Sequence, residues 1–332
     1  MSKWLQYLTL AAVVAFVAVL SSLAQSQAAA PPSASYHTVE NWLHLPAGQP
    51  LGTISWVDVD SKGIVYVLRR CGTCGQHPKE GDPPSVVWKF DRSGNFLGEW
   101  GQAPIAKEGH SIRVDRNGFI WITDSGAHQV KKFQADGKLV MTLGKYGVPG
   151  DGPDTFNQPT DVLVTQNGDF FVTDGYGNHR VLKFREDGKL IKTFGTQGSG
   201  PGQFRIPHSI VQDSHGRLIV VDRCGLHTTG CTDNRIEIFD TEGKFLDQWT
   251  HLGGVSLYIT GGDTLYVGVI GKISIVDALT GELRGGIGKT GINHGIAVDK
   301  EGDVYAADIF DGMHHFAVTH GTATAVPLVD TN

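Results

Sequence analysis

A sixteen-residue unit recurs six times along the chain. The copies are "SWVDVDSKGIVYVLRR" from Ser55, "HSIRVDRNGFIWITDS" from His110, "TDVLVTQNGDFFVTDG" from Thr160, "HSIVQDSHGRLIVVDR" from His208, "VSLYITGGDTLYVGVI" from Val255 and "HGIAVDKEGDVYAADI" from His294. They align without insertion at spacings of about 40 to 55 residues. Each is an apolar strand ending near Asp or Thr, a turn containing Gly, and a second strand. Apolar–polar alternation and β-branched residues mark antiparallel hairpins. After the first four copies a third and a fourth strand follow, as in "HQVKKFQADGKLVMTLG" from His128. Four strands at this period predict an all-β, six-bladed β-propeller. The fifth copy continues more loosely. The sixth stops after "GMHHFAV", so a strand around residues 36–45 is expected to supply its missing edge and close the ring.

The expected organisation is a signal segment over residues 1–30, a linker and ring-closing strand over 31–50, the propeller over 51–320, and a tail over 321–332. Lys3 precedes "LTLAAVVAFVAVL", and "SSLAQSQAAAPPSA" offers small-residue cleavage sites between about Ala24 and Ala30. The apolar run is short of the ~20 residues of a spanning helix. The pattern predicts an exported protein, periplasmic or secreted, with no membrane attachment once cleaved; an uncleaved anchor is the rival reading. A linker up to about Ser35 is expected to be flexible. A net charge of −6 gives no basic surface, which argues against a nucleic-acid partner. A monomer is expected.

Export makes disulfides the leading use of the four cysteines. Cys71 and Cys74 share one loop and Cys224 and Cys231 another, which favours two local bridges, although three connectivities are open. A redox pair or half of a zinc site would also suit the CxxC spacing.

Histidine occupies one equivalent position in every second copy: His110, His208 and His294. On a six-bladed ring these side chains stand a third of a turn apart and face one axis. Three converging imidazoles leave a fourth position open, which is the pattern of catalytic zinc, although nickel, cobalt, copper or iron would accept the same donors. Among the chain's 14 histidines, His128, His179, His314 and His315 fall out of phase with this ring. His77, His215, His227, His251 and His320 read as loop residues.

A second ring lies one residue beyond the second strand: Arg70, Ser125, Gly175, Arg223, Ile270 and Ile309. Arg70 and Arg223 belong to opposite blades, and each precedes a cysteine. Arginines at a channel mouth suit bidentate capture of a carboxylate. Next to the third member, Tyr176 would serve as a general base if its hydroxyl were acidified.

The segments "GHSIRVDRNGFIWITDSGAHQVKKF", "NQPTDVLVTQNGDFFVTDGYGNHRVLKF" and "GPGQFRIPHSIVQDSHGRLIVVDR" resemble the NHL-repeat propeller of peptidyl-α-hydroxyglycine α-amidating lyases. The resemblance extends over about residues 51–316. It implies zinc held by His110, His208 and His294, catalysis by Tyr176, and functional roles for Arg70 and Arg223. The implied reaction cleaves a peptidyl-α-hydroxyglycine, or a similar carbinolamide carrying a carboxylate, to a peptide amide and glyoxylate, without a redox cofactor. It also implies a structural calcium held partly by main-chain carbonyls, one of them that of Ile112. This chain departs from the family at three places: Gly295 replaces the calcium-ligating Asp, Ile292 replaces a Met, and Gly177 replaces a Cys. Nothing in the chain resembles the copper monooxygenase that makes the hydroxyglycine. Two rival functions are a non-catalytic exported propeller binding a protein or glycan, and a metal-dependent propeller hydrolase acting on a lactone or ester. The second would ordinarily place carboxylate and Asn ligands where this chain has histidines.

Overall fold

The computed structural model describes residues 35–71, 85–100, 105–224, 234–309 and 312–319. The expected signal segment and tail, and Cys74, Cys231, His77, His227 and His320, lie outside them. Residues 36–319 form one compact unit.

Among the described residues of that unit, regular structure is all strand apart from one turn of helix. An edge strand, β1 (Ser35–Thr38), comes first. Four antiparallel four-stranded sheets follow, each in simple sequence order. The first holds β2 (Thr53–Val59), β3 (Val65–Cys71), β4 (Val86–Phe90) and β5 (Phe96–Trp100). The second holds β6 (Gly109–Val114), β7 (Ile120–Asp124), β8 (Gln129–Phe133) and β9 (Leu139–Leu143). In the third are β10 (Asp161–Val164), β11 (Phe170–Asp174), β12 (Arg180–Phe184) and β13 (Leu190–Phe194), with α1 (Gly175–Asn178) between β11 and β12. The fourth has β14 (Pro207–Gln212), β15 (Leu218–Asp222), β16 (Arg235–Phe239) and β17 (Phe245–Trp249). The last sheet has six strands in the order β1, β22 (Gly312–Thr319), β21 (Val304–Asp308), β20 (Leu283–Val298), β19 (Thr264–Asp277), β18 (Ser256–Thr260). The expected N-terminal edge strand is therefore present and pairs with β22, but it spans four residues rather than ten.

The strand pattern follows from local chemistry. Successive side chains of the inner strands point to opposite faces. Trp56 joins Leu68, Ile112 and Ile122 in the cluster between the first and second sheets. Its neighbour Val57 faces the other way and packs with Ala297, Tyr305 and Ala307 of β20 and β21. Six such clusters cement consecutive repeats, and the one containing Val57 joins the first sheet to the last. The result is a propeller-like arrangement in which each inner strand contributes to the packing on both its faces. In four repeats an Asp ends the first strand and closes the turn: Asp115 Oδ1 accepts the amides of Asn117 and Phe119 at 2.9 and 3.0 Å, and Asp213 repeats this with His215 and Arg217. Gly118 completes the turn at φ +79°, where a β-carbon would be strained.

Cys224 is disulfide-bonded; the pairing falls on side chains outside the described residues. No helix among the described residues is long and apolar enough to cross a membrane.

Candidate active site

The three repeat histidines meet. His110, His208 and His294 are buried, and one ligating nitrogen from each lies within 4.8 Å of the others. Each owes its aim to a break in strand register. The pairing of β6 with β7 shifts between Gly109 and Ser111, that of β14 with β15 between Pro207 and Ser209, and that of β20 with β21 between Asn293 and Gly295. The skipped residue is in each case the histidine. A bulge leaves one residue unpaired and re-aims its side chain, here toward the common axis.

The intervening repeats supply the orientation. His110 Nδ1 lies 2.6 Å from Thr160 O, His208 Nδ1 2.6 Å from Val255 O, and His294 Nδ1 2.7 Å from Ser55 O. Thr160, Val255 and Ser55 are the equivalent residues of the repeats that lack histidine, so six equivalent positions alternate imidazole and carbonyl. A carbonyl only accepts, so each Nδ1 carries the proton and each Nε2 presents a lone pair to the centre. Burial, reinforced by the charges of Arg70 and Arg223 and, for His110 and His208, of neighbouring histidines, holds the imidazoles below their ordinary range, His294 at about 3. They are neutral at physiological pH, as ligands must be.

Tyr176 sits on α1, which is anchored where Asn157 O accepts the amide of Gly177 at 3.0 Å. A β-carbon at residue 177 would lie 2.2 Å from the Asn157 side chain, so glycine suits the departure noted there. The Tyr176 hydroxyl lies 2.9 Å from His110 Nε2 and 3.1 Å from His208 Nε2, and accepts a hydrogen bond from Arg223 Nη2 at 2.9 Å. Arg223 is buried and also donates to Cys224 O. Arg70, buried as well, is 3.6 Å from the Glu108 carboxylate, and its charge acts on His110 and His294. Ser85 ties this side together: its hydroxyl donates to Arg70 O and accepts the amide of Gly109, the residue before His110. His110, His208, His294, Tyr176 and Arg223 thus form one contact network, Arg70 reaches it through its charge and through Ser85, and the Ile112 side chain lies apart, in the core between the first and second sheets.

The structure adds two features that the repeats did not point to. Glu108 is the acidic partner of Arg70. A buried Asp closes the second strand of four repeats and accepts the amides that lead into the first strand of its own repeat. Asp124 takes Lys107 and Glu108, Asp174 takes Asn157, Asp222 takes Arg205 and Ile206, and Asp308 takes Ile292. The recurring "TD", "VD" and "AD" at these strand ends was the available signal.

The NHL repeat family model matches residues 110–133 and 156–184. The probable peptidyl-α-hydroxyglycine α-amidating lyase of Caenorhabditis elegans is 34% identical over 153 residues, covering 42% of this chain and 43% of that protein. Peptidyl-α-hydroxyglycine α-amidating lyase 2 of Drosophila melanogaster is 33% identical over 180 residues, covering 49% and 43%. The matches thus span less than half the length of these relatives. Among solved structures, streptogramin B lyase superposes with a TM-score of 0.56 at 18% identity, covering 86% of this chain and 98% of that one. That likeness is one of fold.

Proposed function

We propose that the protein is a metal-dependent carbon–nitrogen lyase that cleaves a peptidyl-α-hydroxyglycine, or a similar carbinolamide with a free carboxylate, to a peptide amide and glyoxylate. The observation that carries this is a cluster of three neutral, carbonyl-oriented imidazoles, two of which meet a tyrosine hydroxyl backed by an arginine. Its curated relatives bear the name of the same lyase.

The donor set fits zinc: three imidazole nitrogens with a position left over, each ligand fixed by an outer hydrogen bond. Bound there, zinc supplies Lewis acidity to the substrate's α-hydroxyl. The chain's own residues do the rest. Tyr176 would receive the hydroxyl proton once its own has left to solvent, and Arg223, donating to the same oxygen, would stabilise the negative charge that makes that oxygen a base. The electrons of the broken O–H bond form the aldehyde C=O as the C–N bond breaks. Tyr176 then returns the proton to the departing amide nitrogen, so no further reactant is consumed. Arg70 and Arg223 hold the glyoxylate carboxylate, with Glu108 setting the position of Arg70.

We read the six-stranded sheet as two blades joined through continuous strands. β19 pairs with β18 over Thr264–Gly268 and with β20 over Ile270–Val276, while β20 turns to β21 from Asn293 onward. Six repeats then make six blades.

The test is metal content by plasma emission on the purified protein, beside His208→Ala, together with glyoxylate release from an α-hydroxyglycine peptide. One zinc per chain, lost in the variant along with glyoxylate release, is the expected result. A chain that holds no metal, or that releases no glyoxylate when zinc-loaded, refutes the reading.

A further inference from the structure

Beneath the histidines the channel is filled. Trp56 is fully buried, with its ring centroid 6.0, 6.3 and 5.6 Å from those of His110, His208 and His294. The Arg113 guanidinium lies 5.0 Å from the Trp56 ring. From there its Nε donates to Asp161 Oδ1 at 3.0 Å and its Nη2 to Asp161 Oδ2 at 2.6 Å, to Ser209 Oγ at 3.1 Å and to Leu257 O at 3.1 Å. One side chain on β6 thus touches β2, β10, β14 and β18, the inner strands of four other repeats. Only a group on the axis can do that.

This is where the family resemblance places a structural calcium, and the residues do not fit one. The family's ligating Asp is Gly295 here, and a β-carbon at that position would lie 2.7 Å from Trp56 Cγ and 2.8 Å from Trp56 Cα. An Asp at 295 would therefore fit only if β2 shifted at Trp56. Calcium takes about six to eight oxygens. Here the Trp56 Nε1–H, a donor without a hydrogen-bond partner among the described residues, and the Arg113 guanidinium bring hydrogen-bond donors instead of oxygens. The Asp161 carboxylate is saturated: Oδ1 also accepts the amide of Val162 at 2.9 Å, and Oδ2 also accepts Ser209 Oγ at 2.8 Å and the amide of Ile210 at 3.2 Å. Both oxygens of Asp58 accept main-chain amides, from Val59 and Val114. A divalent ion placed here would meet a fixed positive charge in a dry, low-dielectric setting.

We infer that this chain carries its channel cation covalently: Arg113, stacked on Trp56 and clamped by Asp161, ties the inner strands together in place of a bound calcium. Trp56 links the set: it packs against Gly295 on one side and carries the Arg113 guanidinium on its ring. Four charge-assisted or polar contacts from one guanidinium do the cross-linking that a divalent ion would do with oxygens.

The experiment uses the whole zinc-loaded protein, gel-filtered in 1 mM calcium chloride and then in calcium-free buffer, with calcium counted by emission spectroscopy and melting followed in both buffers. The expected result is calcium well below one per chain and melting temperatures within about 1 °C of each other. One retained calcium per chain, or a rise of several degrees on adding calcium, overturns the inference. Arg113→Met is expected to melt about 5 °C or more below the wild type in either buffer; unchanged melting overturns the role given to the guanidinium. Should Arg113→Met fail to fold, Arg113→Lys, which keeps the charge and loses the fork, is held to the same expectation. None of these readouts depends on the lyase activity.

Discussion

Replacing Tyr176 with phenylalanine removes one oxygen atom and tests the chemistry separately from the metal site. That oxygen is the meeting point of His110 Nε2 at 2.9 Å, His208 Nε2 at 3.1 Å and Arg223 Nη2 at 2.9 Å. The three Nδ1 contacts to Thr160, Val255 and Ser55 do not involve it, so the imidazoles keep their tautomer and aim. Metal stoichiometry should therefore be unchanged. A positioned acid–base group contributes about 10²–10⁴ in rate, so kcat for glyoxylate release should fall by that factor, equivalent to about 3–5 kcal/mol of barrier. Loss of the acceptor leaves a buried Arg223 donor unpaired, a stability penalty of about 1–3 kcal/mol. The assays are glyoxylate release at saturating substrate, zinc content, and thermal melting. A variant that keeps its zinc and more than a tenth of wild-type kcat would refute Tyr176 as the proton carrier. Loss of zinc in the variant would instead show that the hydroxyl holds the metal.

Three other outcomes follow from the same contacts. His208 is held below its ordinary value by burial and Arg223, so between pH 6.5 and that lower value the unfolded chain binds a proton that the folded chain does not. Metal-free protein should therefore lose more stability between pH 7.5 and 5.5 than His208→Asn does, by up to about 1.4 kcal/mol per pH unit, in urea titrations of both; equal losses would contradict the depressed imidazole. Gly295→Ala pushes a methyl to 2.7 Å from Trp56 and should be destabilising by about 1–3 kcal/mol, and a wild-type melt would show that the indole can move aside. Asp124→Ala strands the amides of Lys107, Glu108 and Ala127, so melting should drop by the equivalent of about 2–5 kcal/mol and zinc affinity should weaken through His110. Unchanged zinc affinity in a folded Asp124→Ala protein would separate that carboxylate from the site.

Much of this protein was legible in one dimension because its determinants are local and repeated. Alternation of apolar residues sets which side of a strand is buried, and an Asp or Thr with a following Gly closes each turn within a few residues. Counting those units placed His110, His208 and His294 in one phase, and Arg70, Tyr176 and Arg223 near another. What the chain does between repeats was not legible. The carbonyl that orients His294 belongs to Ser55, 239 residues away, and the groups that hold Arg113 lie 48, 96 and 144 residues from it. The bulges that turn each histidine inward are register shifts, visible only once two strands are paired. In the sequence Arg113 and Trp56 are one charged and one aromatic residue in alternating strands, with nothing to mark them as partners. Wrapping the repeats around an axis brings the Arg113 guanidinium to 5.0 Å from the Trp56 ring, a contact that no local signal in either strand encodes.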